Sequence, residues 1–168
     1  YRPVRSCHQA ISKASLFIRK HSLKWVVDLD ISKCFDSLDH DLIMDAFKSR
    51  IRDGSILSLI KSFLKSGVMR GDCLNRSEKG SPQGGVISPL IANVYLDSFD
   101  QHMMKRGHRI VRYADDILIL CKSKAGAVNA MKVAKTFLEG DLRLGINEAK
   151  SRIDHSSLGV KFLGVVIY

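Results

Sequence analysis

Cysteine is sparse and scattered in this chain. The four residues Cys7, Cys34, Cys73 and Cys121 stand singly, with no Cys-x-x-Cys among them, and the six histidines fall into no ligand spacing. That pattern argues against a zinc site and a disulfide framework, and unpaired cysteines suit a reducing compartment. No run approaches the ~20 apolar residues of a membrane span, and no basic-then-apolar leader is visible. The expected location is a reducing compartment, without secretion and without a membrane partner. The chain starts at Tyr1 and is expected to be an excised part of a longer protein. Internal repeats, linkers and the phosphate loop Gly-x-x-x-x-Gly-Lys-Ser/Thr are also missing, which leaves one domain with no P-loop chemistry.

What is present is enough for a folded core: 168 residues, 45% of them hydrophobic, make one domain of ordinary size. Lys and Arg number 27 against 17 Asp and Glu, a net charge of +10, yet several of the acids are clustered. A basic body around an acidic focus suits a polyanionic substrate held near metal ions. The focus is Arg112-Tyr113-Ala114-Asp115-Asp116, set between the apolar runs Arg109-Ile110-Val111 and Ile117-Leu118-Ile119-Leu120. Both runs are short and rich in β-branched residues, so they read as the arms of a hairpin with Asp115 and Asp116 at or beside its turn. An ordinary turn accounts for an isolated Asp-Asp, because turns favour Asp. Two adjacent anions are otherwise comfortable only if solvated, matched by cations or bridged by a divalent ion. A second acidic strand end shifts the balance toward the ion. In Lys24 to Ile31 an apolar strand closes on alternating acids, and the alternation puts Asp28 and Asp30 on one face.

Along the chain, Ser6 to Lys20 carries Ala10, Ile11, Ala14, Phe17 and Ile18 at helical spacing behind a Ser6 N-cap. Phe35 to His40 reads as a turn into a helix lined by Leu42, Ile43, Ala46, Phe47 and Ile51. Asp53-Gly54-Ser55 breaks it before a further helical pattern that runs to Gly67. Val68 to Lys79 is polar and basic and reads as a hairpin or loop. Ser81-Pro82-Gln83-Gly84-Gly85-Val86-Ile87-Ser88-Pro89 joins a glycine-hinged loop to a helix start, with Ser88 as N-cap and Pro89 at the first helical position. The loop suits either backbone approach to a ligand or a tight turn. Its helix should bury Leu90, Ile91, Val94, Tyr95, Phe99 and Met103. A later helix shows Ala125, Val128, Met131, Val133, Ala134, Phe137 and Leu138 and is closed by Gly140. Asp141 to Lys150 forms a connection, and Ser151 to Asp154 and Val160 to Tyr168 form two closing strands. The class is α+β, with helices packed on a mainly antiparallel sheet.

Taken in order and spacing, these blocks resemble the reverse transcriptases, with phrasing closest to the group II intron-encoded type. The residues that carry the resemblance are Tyr113-Ala114-Asp115-Asp116, Asp30-Ile31 with Phe35 five positions after the acid, and Ser81 to Leu90. Arg2 to Ala10 resembles that family's fingers block, Gly145 to Lys150 its late-palm block, and Phe162-Leu163-Gly164 the strand that closes the palm. The resemblance implies a right-hand polymerase fold, with residues 1–24 a partial fingers segment and 25–168 the palm, finger-like elements lying within 68–85. It implies an RNA-directed DNA polymerase acting on an RNA template, a DNA primer and deoxynucleoside triphosphates, with group II intron RNA as a further partner. The alternatives are a maturase-type domain that binds intron RNA for splicing, and retron, diversity-generating or defence-associated relatives.

By the same resemblance, Asp30, Asp115 and Asp116 form the catalytic triad. Two Mg²⁺ ions, with Mn²⁺ as substitute, would sit about 3.5–4 Å apart on Asp30 and Asp115, the Ile31 carbonyl completing the shell and Asp116 in a supporting role. Phe35 matches a steric gate against ribose 2′-hydroxyls, and burial in the core explains the same ring equally well. Gln83 matches a contact to the nascent base pair, and Lys150 faces the triphosphate or primer. Arg2, Arg5, Arg70, Arg76 and Lys79 are candidates for the phosphate backbone; solvated surface is the plainer reading of Arg2 and Arg5. Asp28 is left as polar support, and Asp36, Asp39 and His40 as turn and cap residues.

Overall fold

A computed structural model of the chain describes residues 5–65, 68–70, 73–75, 80 and 87–168, with the backbone alone for 68–70 and 73–75. Gln83, Arg2, Arg76 and Lys79 lie outside the described residues. The elements run α1 (Cys7–Arg19), β1 (Trp25–Leu29), α2 (Cys34–Ser37), α3 (His40–Lys48), α4 (Gly54–Lys65), β2 (Val68–Arg70) and β3 (Cys73–Asn75). There follow α5 (Ser88–Lys105), β4 (Arg109–Tyr113), β5 (Asp116–Cys121), α6 (Lys124–Thr136), β6 (Arg152–His155), β7 (Val160–Phe162) and β8 (Val165–Ile167).

One four-stranded sheet organises these pieces, in the order β4-β5-β1-β6. Every pairing in it is antiparallel. Alternation sends Val27, Leu29, Ile117 and Ile119 to a core shared with α3, α5 and α6. Val26, Leu118 and Leu120 go to the opposite face, under α1 and the β7–β8 hairpin. Because both faces are covered, β5 reads as an unbroken apolar run from Ile117 to Cys121.

Local signals account for several element ends. Ser6 caps α1 through a capping box with Gln9, which satisfies two orphan N–H groups at the helix start. Asp39 caps α3, its Oδ1 accepting from the N–H groups of Asp41 at 3.0 Å and Leu42 at 3.3 Å. The 68–79 stretch contains the hairpin β2–β3.

Elsewhere the structure corrects the sequence reading. Ile87 takes the N-cap position of α5, and Ser88 is a buried residue of its first turn. Leu90 is 46% exposed, and Ala92 and Leu96 are buried in its place; α5 packs on α3, α2 and β4, so its apolar stripe is wider than a single-neighbour face. On α6 the buried line is Ala127, Ala130 and Ala134, whereas Val128 is 53% exposed. Small side chains there let the helix approach β1 and β5, which it contacts. The helix is not closed by Gly140: it runs into a π turn, Phe137–Asp141, and the left-handed residue after it is Arg143, at φ 53°. Val160 to Tyr168 is two strands rather than one. Leu163 and Gly164, at φ 50° and 81°, form the two-residue turn between β7 and β8, the double positive φ that a type I′ hairpin turn requires.

The alanine stripe makes a direct prediction. Ala130→Leu is expected to destabilise the protein by about 1–3 kcal/mol through overpacking, while Val128→Ala changes stability by less than about 0.5 kcal/mol. Urea unfolding followed by circular dichroism checks both.

Candidate active site

Antiparallel register brings the acids together. Leu29 of β1 pairs with Ile117 of β5, so one residue further on Asp30 and Asp116 stand at the same level of the sheet. The β4–β5 hairpin closes between Tyr113 and Asp116, leaving Ala114 and Asp115 as its two-residue loop, with Ala114 at φ 55°. Asp30 and Asp115 both line a cleft of about 440 Å³ together with Ile31, Phe35, Asn147 and Lys150. Asp116 does not line it, in keeping with its position at the start of β5.

The loop that carries Asp30 is held by backbone bonds to the connection between α6 and β6. Asn147 N–H donates to the Asp30 carbonyl at 2.9 Å and Ser32 N–H to the Gly145 carbonyl at 2.9 Å. The Asp30 N–H donates to Ser151 Oγ at 3.1 Å, and Ile31 bridges to Ile146. Lys150 Nζ stands 3.8 Å from the Asp30 carboxylate. Connection 145–151 thus sets both the backbone of the first acid and a cation beside it.

The hairpin tip is fixed from the other side by Arg112. Its guanidinium donates to both carboxylate oxygens of Asp100, at 2.7–3.1 Å, to Asn93 Oδ1 at 3.1 Å and to the Ala114 carbonyl at 2.9 Å. The side chain is only 5% exposed. A buried bidentate pair of this kind gives orientation as well as attraction. The sequence reading missed Arg112, although a cation on the strand face of Ile110 and Ile117 points into the core and requires a buried partner.

Electrostatically the acids act on one another. Burial pushes the Asp116 carboxyl above its ordinary range, and the Asp115 and Asp30 carboxylates push it further. Asp28 is raised too, first by burial and then by Asp116, Asp30 and Asp154, with Arg152 working in the opposite direction. Arg152 lies 3.4 Å from Asp28 and 2.9 Å from Asp154, so Asp28 is polar support on the face that leads to Asp30. The Cys34 thiol in the cleft wall is pushed up to about 12 by burial and then by Asp115, which keeps it protonated and unreactive.

Among the described residues no three His, Cys, Asp or Glu side chains form a ready cage for an ion. The donor set nevertheless fits a hard divalent cation, because Mg²⁺ keeps several waters and binds through one or two carboxylates plus substrate phosphates. The other predicted residues are distributed differently. Phe35 is half-buried and lines the cleft. Arg5 is exposed and lies in a different cleft, between α1 and α5. Arg70 is described by its backbone alone, in β2. His40, read only as a turn residue, hydrogen-bonds the Gly80 carbonyl through Nε2 at 2.6 Å, while the Gly80 N–H donates to Leu38 at 2.7 Å. Gly80 sits at φ 92°, and a Cβ there would lie 2.9 Å from the Asp36 carbonyl oxygen; only glycine fits this anchor. Asp39 is tied to Arg143 at 2.8 Å. Burial alone would raise its pKa, but the hydrogen bonds from Arg143 and from the Leu42 and Asp41 N–H groups outweigh that and lower it.

The family model "Reverse transcriptase (RNA-dependent DNA polymerase)" matches residues 1–167. "Protein YkfC" of Escherichia coli is 31% identical, over 98% of this chain and 53% of that protein. "Group II intron-encoded protein LtrA" of Lactococcus lactis subsp. cremoris is 28% identical, over 98% and 38%. The chain therefore spans about half the length, or less, of these curated relatives. Among solved structures, apo telomerase from Candida Tropicalis superposes with a TM-score of 0.71 at 13% identity, covering 96% of this chain and 34% of that one. At that identity the likeness establishes the fold.

Asp116→Asn follows from the charge crowding. The folded-state pKa of Asp116 is raised, so its protonated form favours folding below the unfolded pKa, and that stability is lost as pH rises through the folded pKa. The amide is therefore expected to raise Tm slightly at pH 7.5 in EDTA, with the gain disappearing toward pH 4; thermal melts across that range test it.

Proposed function

Since the chain belongs to the reverse transcriptase (RNA-dependent DNA polymerase) family, we propose that it is the catalytic core of an RNA-directed DNA polymerase. It adds deoxynucleotides to a primer 3′-hydroxyl on an RNA template. The observation that carries this reading is the single cleft in which Asp30, Asp115, Phe35 and Lys150 meet. Residues 1–24 would contribute to the fingers and 25–168 to the palm, in a reducing compartment.

The positions of Asp30, Asp115 and Lys150 in the lining of the cleft support this reading. Asp30 and Asp115 present hard oxygen donors to the cleft, with the Ile31 carbonyl as a third donor and Asp116 supporting them from the strand. These residues would hold divalent ions, Mg²⁺ or Mn²⁺, which would supply Lewis-acid activation of the 3′-hydroxyl and neutralise charge on the departing pyrophosphate. Lys150 neutralises part of the Asp30 charge and is within reach of a phosphate in the same cleft. Phe35 forms a wall against the sugar of the incoming nucleotide, where a 2′-hydroxyl would collide with the ring. Gln83 follows Gly80 by three positions in the chain and is assigned to the nascent base pair. Arg2, Arg5, Arg70, Arg76 and Lys79 are assigned to template and primer phosphates, a contact that is independent of sequence and weakened by salt.

A second reading is favoured by the likeness to a group II intron-encoded protein and by the +10 charge: the same domain would hold intron RNA during splicing. The two are separable by Asp115→Ala in the full-length parent protein. Primer extension on an RNA template with deoxynucleotides and Mg²⁺ should fall at least about 10²-fold, with RNA affinity unchanged. Undiminished extension would remove Asp115 from the catalytic set. For Phe35→Ala, discrimination between deoxy- and ribonucleotides should fall about 10–100-fold, measured as the ratio of kcat/KM values; an unchanged ratio would return Phe35 to the core.

A further inference from the structure

The turn that carries Phe35 into the cleft has little of its own to hold it there. α2 is four residues long, far short of the roughly 12 at which a helix begins to be stable by itself. Its N-cap residue Lys33 lies in the left-handed region, at φ 45°, and makes no side-chain cap. Backbone of that kind persists only where its surroundings fix it. On one side the fixing comes from the core, where Cys34 and Leu38 are buried and α2 packs on α5. On the other side, at the exposed Asp36, the backbone of Gly80 lies against it.

Gly80 is fastened to the α2–α3 turn at both of its polar groups. Its N–H donates to the Leu38 carbonyl at 2.7 Å, and its carbonyl oxygen meets His40 Nε2 at 2.6 Å. A carbonyl oxygen can only accept, so Nε2 carries the hydrogen. The bare α-carbon faces α2 itself: a Cβ there would lie 2.9 Å from the Asp36 carbonyl oxygen and 3.1 Å from the Asp36 Cα. Asp36 is the next residue after Phe35. The backbone behind the ring is thus braced by a peptide group forty positions along the chain, and His40 supplies one of the two bonds that seat the brace.

We infer that His40 and Gly80 form a clamp on α2, and that His40 is thereby a positioning residue for the selection of deoxynucleotides by Phe35. The inference rests on the assignment of Phe35 as the wall against the sugar, and deepens it. A collision discriminates only while the ring cannot retreat. With the Nε2 bond lost, Gly80 keeps one bond of two, and α2 can yield to a ribose 2′-hydroxyl. A deoxy sugar does not press on the ring and is accommodated as before. His40 does not line the cleft, so its loss changes preference and leaves the chemical step alone.

The test uses the full-length parent protein, with kcat and KM measured for single additions of a deoxy- and a ribonucleotide opposite the same template base. His40→Ala should lower the deoxy/ribo ratio of kcat/KM about three- to tenfold, through better use of the ribonucleotide, with deoxynucleotide kcat within about twofold of the parent. His40→Gln returns an N–H donor of similar reach and should restore the ratio. A readout independent of turnover comes from para-fluorophenylalanine incorporated at position 35. Its fluorine resonance should shift or broaden in His40→Ala and return in His40→Gln. An unchanged ratio in His40→Ala beside a lowered one in Phe35→Ala would overturn the clamp, as would equal losses with both nucleotides or a fluorine resonance that ignores His40. An unchanged ratio in Phe35→Ala as well would remove the wall, and a parent that extends no primer would remove the polymerase reading. Either takes the inference down with it, and the Phe35→Ala and parent reactions tell those failures from failure of the clamp alone.

Discussion

The antiparallel pairing of β1 with β5 is the constraint on which the rest of the site depends. Each strand would be an ordinary apolar segment by itself. Their register, with Val27 opposite Ile119 and Leu29 opposite Ile117, is held because a slip of one residue would turn every core side chain to the wrong face. The same register leaves Asp30 and Asp116 level at the sheet end. Carboxylates that repel one another are therefore assembled by apolar burial some distance away, and the core bears the cost of keeping them adjacent.

Charge around that assembly is arranged in layers. Lys150 faces Asp30, Arg152 bridges Asp28 and Asp154, and Arg112 is taken up by Asp100. The first two cations are substantially exposed, so solvent screens them and they neutralise only part of the acidic charge. Arg112 is buried and acts through geometry, fixing the Ala114 carbonyl. Among the described residues no cation forms an ion pair with Asp115 or Asp116; Asp115 lines a cleft whose oxygen donors suit a divalent ion, and Asp116 stands beside it at the start of β5.

The loops at the site are as constrained as the strands. The Asp30 loop is fastened by 145–151, and that connection is reached through Arg143, a non-glycine residue at positive φ whose guanidinium binds the α3 cap Asp39. Tyr95 of α5 adds a bond from its hydroxyl to the Leu142 carbonyl at 2.6 Å. Non-glycine residues of positive φ cost energy and persist where the surroundings over-determine them; here Arg143 and Ala114 lie on the connections that lead into the candidate site.

Much of this was readable along the chain. The Ser6 and Asp39 caps, the hairpin around Asp115 and the acidic end of β1 are local events, decided by residues within a few positions of one another, and motif spacing was enough to name the family. The alanine face of α6, the exposed Leu90, the β7–β8 turn at Leu163-Gly164 and the role of Arg112 were not readable in the same way. Hydrophobic period finds the large apolar residues of a helix, but how closely a helix approaches a sheet is set by its neighbours, and on α6 closeness selected the smallest side chains. Arg112 and Asp100 are twelve residues apart on different elements, and only packing α5 against β4 makes them partners. The sequence by itself determined which acids, caps and turns exist, because those obey short-range rules. Tertiary structure decided which cations meet which acids, because burial and Coulomb contacts act between elements that the chain order does not place side by side.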